Sequence, residues 1–137
     1  MPAARNRPTP KPPADPFERV RALCLALPEV TERPSHSQPA FFVAGKMFVT
    51  FSVNLHGDGE EAIWIKAAPG VQEMLIAEAP EHFYRPPYVG HQGTVAARLN
   101  RAGTPWEDID LLIRDAWMMM APKRLAATLA PPDGERA

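Results

Sequence analysis

The sequence predicts an α+β fold: an antiparallel sheet of about four or five strands with helices packed on one face. Three observations predict it. Strand-like runs crowd between residues 39 and 66, rich in aromatic and β-branched side chains and separated by turn residues. Segments with apolar residues at spacings of three and four flank them. A chain of 137 residues that is 45% hydrophobic fits a single domain with an ordinary core.

Residues 1–14 hold Pro2, Pro8, Pro10, Pro12 and Pro13 among small and basic residues. Such a stretch buries too little apolar surface to offset the entropy of ordering, so it reads as a disordered arm. The domain is expected over 15–130, with a flexible tail at 131–137. Asp15-Pro16 is a helix start, a capping carboxylate followed by proline at the first helical position. Phe17, Val20, Leu23, Cys24 and Leu27 form its apolar stripe, and Pro28 ends it. The polar stretch Glu29 to Gln38 reads as a loop.

The meander follows: Pro39 to Ala44, a turn at Gly45-Lys46, then Met47 to Val53. A polar loop from Asn54 to Glu60 leads to Ala62 to Lys66. Strand alternation puts Met47, Val49, Phe51 and Val53 on one face and Lys46, Phe48, Thr50 and Ser52 on the other. Ile63 and Ile65 oppose Ala62, Trp64 and Lys66 in the same way. A later run, Thr94 to Leu99, sets Val95, Ala97 and Leu99 against Ala96 and Arg98. The apolar faces are expected to meet the helices. The other face is then half-polar, with Lys46, Lys66 and Arg98 beside Phe48 and Trp64.

Pro69 opens a short helix with Val71, Met74 and Leu75 at helical spacing, closed by Pro80. Glu81 to Gly93 is irregular. Thr104-Pro105-Trp106-Glu107 predicts a helix start with a capping box, and Ile109, Leu112, Ile113 and Ala116 line the helix as far as about Met120. Pro122 either breaks that helix or begins a last short one with Lys123, Arg124, Leu125 and Leu129.

Charge and chemistry narrow the function. The net charge is −1, and residues 15–130 carry −3, with fourteen acidic against eleven basic side chains. A globally basic footprint for nucleic acid is missing from the domain, so any such binding needs a local patch. One cysteine, Cys24, excludes an internal disulfide and fits a reducing compartment. With no apolar run long enough for a membrane span and no signal-like leader, the expected location is cytoplasmic, away from the membrane.

His36, His56, His82 and His91 show no metal-ligand spacing, so no metal or cofactor is expected. Gly57-Asp58-Gly59 reads as a turn, since too few carboxylates flank it for calcium. Ser35-His36-Ser37 places a hydroxyl beside an imidazole, but neighbours in a loop rarely present both side chains to each other. Cys24 is expected to be buried and unreactive. No catalytic residues are therefore assigned, and the chain reads as non-enzymatic.

Two stretches carry binding chemistry. Cations beside rings on an open sheet face suit phosphates and stacked bases. The aromatics, Arg85 and two histidines of His82 to His91 are the second, as pocket walls. Trp117-Met118-Met119-Met120 suits core or an oligomer contact.

Several short segments, in order and spacing, resemble the MmcQ/YjbR family of small bacterial proteins. They are Ala26-Leu27-Pro28-Glu29-Val30, Pro39-Ala40-Phe41 to Gly45-Lys46-Met47-Phe48, Ile65-Lys66, Pro86-Pro87-Tyr88-Val89-Gly90 and Ala121-Pro122-Lys123-Arg124-Leu125. The likeness covers roughly residues 17–129. Gln92-Gly93-Thr94 departs from it where the family usually has a tryptophan, and Trp117 to Met120 where it usually has a Ser-Tyr type pair. The resemblance implies a fold similar to secretion-chaperone and frataxin-like sandwiches. It also implies the family's DNA-binding description, drawn from a double-wing arrangement of hairpins, and brings no catalytic residues.

The leading expectation is therefore DNA binding through hairpin wings and a cationic sheet face, with Lys46, Lys66, Arg85 and Arg98 on phosphates and Phe48 and Trp64 stacking or packing. The alternatives are a protein-interaction or chaperone-like module, dimeric through Met118–Met120 or the sheet face, and a small-ligand or enzyme site near His82–His91.

Overall fold

The computed structural model describes residues 15–129. The arm at 1–14 and the tail at 131–137 lie outside them. Helix α1 (Pro16–Leu25) starts as its sequence dictates: the Asp15 carboxylate accepts from the Phe17 amide at 2.8 Å.

Strand β1 (Val30–Ser35) follows, then β2 (Gln38–Val43), β3 (Lys46–Val53) and β4 (Glu61–Ile65). Helix α2 (Val71–Glu78), β5 (Phe83–Tyr84), β6 (Val95–Arg98), α3 (Trp106–Met120) and α4 (Lys123–Leu129) complete the described chain. The six strands pair antiparallel in the order β1-β2-β3-β4-β6-β5.

Three sequence expectations are corrected. The segment Glu29 to Gln38 contains a strand, and only Glu29 and His36-Ser37 turn. Four of the six β1 residues are exposed, so the strand lacks the alternation that marks its neighbours. As an edge strand with Pro34 in it, β1 has one hydrogen-bonded side and little to bury. The β2–β3 turn is Ala44-Gly45 rather than Gly45-Lys46: both residues have positive φ, 51° and 78°, as a two-residue hairpin loop of the primed type requires. Thr104 does not cap α3, because its hydroxyl donates to the Arg101 carbonyl at 2.8 Å; the position before the helix is Pro105.

Register fixes the faces. Phe41 pairs with Val49, Val49 with Ile65, Phe51 with Ile63, and Ile63 with Ala97. Cross-strand partners share a face, so these side chains form one apolar layer. It meets Val20 and Cys24 of α1, Ile109, Ile113 and Trp117 of α3, Leu75 of α2 and Leu125 of α4. Trp117 is fully buried, and its indole N–H donates to the Pro28 carbonyl at 3.1 Å. Arg21 ties α1 to the sheet edge, donating from Nε and Nη2 to the Glu32 carboxylate at 2.9–3.1 Å while also pairing with Glu18. Pro122 does both things its sequence allowed: α3 stops before it, and its carbonyl accepts from Leu125 and Ala126 at the start of α4.

Candidate functional site

The opposite face of the sheet is built by the same register. Thr50 pairs with Trp64, Trp64 with Ala96, Ala96 with Tyr84, and Ala62 with Arg98. The Lys66 amide donates to the Phe48 carbonyl at 3.1 Å, extending the β3–β4 ladder past the strand end. Thr50, Ser52, Trp64, Lys66, Tyr84 and Arg98 therefore share the side away from the apolar layer, whereas Phe48, at the register shift where β3 passes Phe41 and Phe42, is buried with the apolar layer.

A groove of about 700 Å³ lies over this face. Its floor is β3 from Met47 to Val53, with Trp64 and Lys66 from β4. Ser35, His36 and Gln38 of the β1–β2 hairpin form one wall. Asn54, Leu55 and His56 after β3, together with Tyr88, Val89 and Thr94 before β6, form the rest.

Two of these loops are clasped. His56 Nε2 and the Tyr88 hydroxyl are 2.9 Å apart, and their rings meet edge to face at 6.1 Å. The Asn54 side chain holds its own loop by accepting from the Gly59 amide at 2.8 Å. Seven described non-glycine residues have positive φ, and four of them line the groove: His36, Asn54, His56 and Tyr88. Left-handed backbone at such residues costs on the order of 1 kcal/mol each and persists where surrounding contacts hold it, commonly around ligand sites.

Two hydroxyls in the lining are buried without a hydrogen-bond partner, Ser52 Oγ and Thr94 Oγ1. Gln72 of α2 anchors the nearby loop by donating to the carbonyls of Gly90 and Thr94 at 2.8 and 2.7 Å.

The sequence-predicted residues divide. Trp64 and Lys66 come together in the groove, both half-buried, whereas Phe48, expected beside them, is 1% exposed and joins the apolar core. Lys46 is exposed next to the β2–β3 turn and lies outside the lining. Arg85 is exposed, and its Nη1 donates to Gln72 Oε1 at 3.3 Å.

Arg98 is on the predicted face but is not a free cation. Its Nε and Nη2 grip the two Glu60 carboxylate oxygens at 2.8 and 3.0 Å, and Nη1 donates to the Pro80 carbonyl at 3.1 Å. The guanidinium also stacks over the Tyr84 ring at 4.5 Å. Burial pushes the Tyr84 hydroxyl's pKa up. A uniformly cationic face is therefore not what these side chains build.

The stretch His82 to His91 divides too. Tyr88 and Val89 reach the groove, while His82 is buried elsewhere and His91 is exposed outside the lining. His36 and His56 escaped sequence reasoning because turn residues follow no period. The signal available was loop length: the Asn54–Glu60 loop is long enough to fold over the sheet.

No group of three or more metal-ligating side chains occurs among the described residues. Cys24 is buried, and desolvation raises its thiol pKa well above the ordinary value. Among the described residues no helix is long and apolar enough to cross a membrane.

An antiparallel sheet with helices on one side and a groove on the other defines a small α+β protein. The chain belongs to the YjbR family, whose model matches residues 25–119. It is similar to the crystal structure of Deinococcus radiodurans protein DR2400, described with a DUF419 domain, at a TM-score of 0.66 and 19% identity. The likeness covers 87% of this chain and 93% of that one, and at this identity it speaks for the fold. No curated protein matches the chain.

Proposed function

We propose that the groove on the sheet face binds a small ligand and that the protein acts by binding rather than by catalysis. The observation that carries this reading is a concavity of about 700 Å³, within the range typical of small-molecule sites. Aromatic side chains floor and wall it, and its two loop walls are tied by the His56–Tyr88 contact. Trp64 and Tyr88 supply flat apolar surface, and Lys66 supplies a polar handle. The buried, protonated Cys24 thiol supports the non-catalytic part of the reading.

DNA binding through hairpin wings is the second reading. Exposed Lys46 beside the β2–β3 turn and exposed Arg33 near the β1–β2 turn support it, since each hairpin carries a cation near its tip. The pairing of Arg98 with Glu60 and the −3 charge of residues 15–130 count against it.

One experiment separates the two. Amide NMR spectra of the full chain are recorded with a fragment library and, separately, with a short DNA duplex at low salt. The groove reading expects fragment shifts at Phe48, Trp64, Lys66 and Tyr88. Shifts confined to Lys46 and Arg33 with duplex, and no fragment shifts, would replace it with the wing reading.

A further inference from the structure

We infer that the groove selects an aromatic monoanion, with its ring against Trp64 and its anionic group at Lys66. This rests on the groove reading above and adds the ligand's charge class.

The argument is charge complementarity. Residues 15–130 carry fourteen carboxylates, yet no Asp or Glu lines the groove. Its one formally charged side chain is Lys66. Among the described residues, ion pairs occupy Arg21, His82, Arg98 and Arg124 and leave Lys66 without a carboxylate within 4.0 Å. A cation with no counter-ion, on a half-buried residue beside Trp64, attracts an anion more strongly than the same group in open water.

The count of charges also sets the ligand's. One ammonium balances one negative charge, which favours a carboxylate over a doubly charged phosphate monoester. A polyanion would leave most of its charge uncompensated in an apolar groove.

The test uses three probes of one ring system: 2-naphthoate, 2-naphthalenemethanol and 2-naphthylmethylammonium. Each is titrated into the full chain by amide NMR. The acid should bind about tenfold or more tightly than the alcohol, the worth of one charge-assisted hydrogen bond, and the ammonium should bind weakest. Lys66→Met should bring the acid down to the alcohol's affinity, with the spectrum itself reporting whether the variant is folded. As a second measurement on the unaltered chain, added salt should weaken the acid and leave the alcohol unchanged.

Equal affinities for acid and alcohol, or tightest binding of the ammonium, would overturn the anion preference while groove shifts upheld the groove itself. No groove shift with any of the three would remove both.

Discussion

Arg98 and Glu60 are joined by two parallel hydrogen bonds, Nε to Oε1 at 2.8 Å and Nη2 to Oε2 at 3.0 Å. The pair fastens the end of the β3–β4 loop to β6, with both side chains largely shielded at 16% and 20% exposure. Two-pronged pairs of this kind fix geometry as well as supplying energy. The pairing decides how the sheet face reads: a cation that looks available for phosphate is committed internally.

Removing one partner should therefore cost more than a surface ion pair would. Glu60→Ala leaves a shielded guanidinium with only the Pro80 and Glu81 carbonyls, both on Nη1, to accept from it. The expected loss is about 2 kcal/mol, between the ranges for exposed and buried pairs, read as a shift in the urea midpoint. A loss under about 0.5 kcal/mol would show the pair to be ornamental.

Trp117 is the long-range tie between α3 and the segment after α1. Trp117→Phe empties part of the core and leaves the Pro28 carbonyl without its donor. A loss of about 2–3 kcal/mol is expected from the cavity and the lost hydrogen bond together, measured by chemical denaturation. A variant as stable as the parent would mean that the helix packs differently.

Cys24 gives a pH dependence whose sign follows from its burial. Its folded pKa lies above its unfolded value, and desolvation is the main cause. Well below the unfolded pKa of about 8.5 the thiol is protonated in both states and contributes no slope. Above that, the unfolded chain loses the proton while the folded chain keeps it, so stability falls with rising pH. The limiting slope is about 1.4 kcal/mol per pH unit. Urea midpoints between pH 8 and 10 should fall more steeply for the parent than for Cys24→Ala, and parallel curves would contradict the burial. In the folded protein at pH 8 the thiol should resist alkylation until the chain is unfolded.

The β1–β2 turn holds His36 and Ser37 at φ of 52° and 68°. Two-residue turns with positive φ at both positions favour glycine at the second. Ser37→Gly relieves the backbone at Ser37, which lies outside the groove lining. After the entropy cost of glycine in the unfolded chain, a net gain of about 0.5 kcal/mol is expected by thermal denaturation. A loss of stability would show that the turn is not strained at that position.

Much of this was legible in the sequence, and the gaps have physical causes. Alternation along Ala62–Lys66 was enough to put Trp64 and Lys66 on one face, because strand geometry forces it, but along Met47–Val53 a register shift against Phe41 and Phe42 breaks the alternation and Phe48 joins the core. Asp15 announced the first helix because capping is local. β1 was missed because an edge strand with mostly exposed residues carries no apolar period. Thr104 was misassigned because a hydroxyl can satisfy a preceding carbonyl instead of the helix. The Arg98–Glu60 pair spans 38 residues, and the His56–Tyr88 contact spans 32. Neither separation leaves a local trace, so both the lost cation and the groove wall appeared only in the folded chain.

The central claim is that the sheet face opposite the helices receives a ligand, and a crystal structure of the full chain grown with 2-naphthoate tests it most directly. The account predicts the ring against Trp64 with the carboxylate at hydrogen-bond distance from Lys66 Nζ. A groove closed by its own side chains, or naphthoate bound only elsewhere on the molecule, would contradict it.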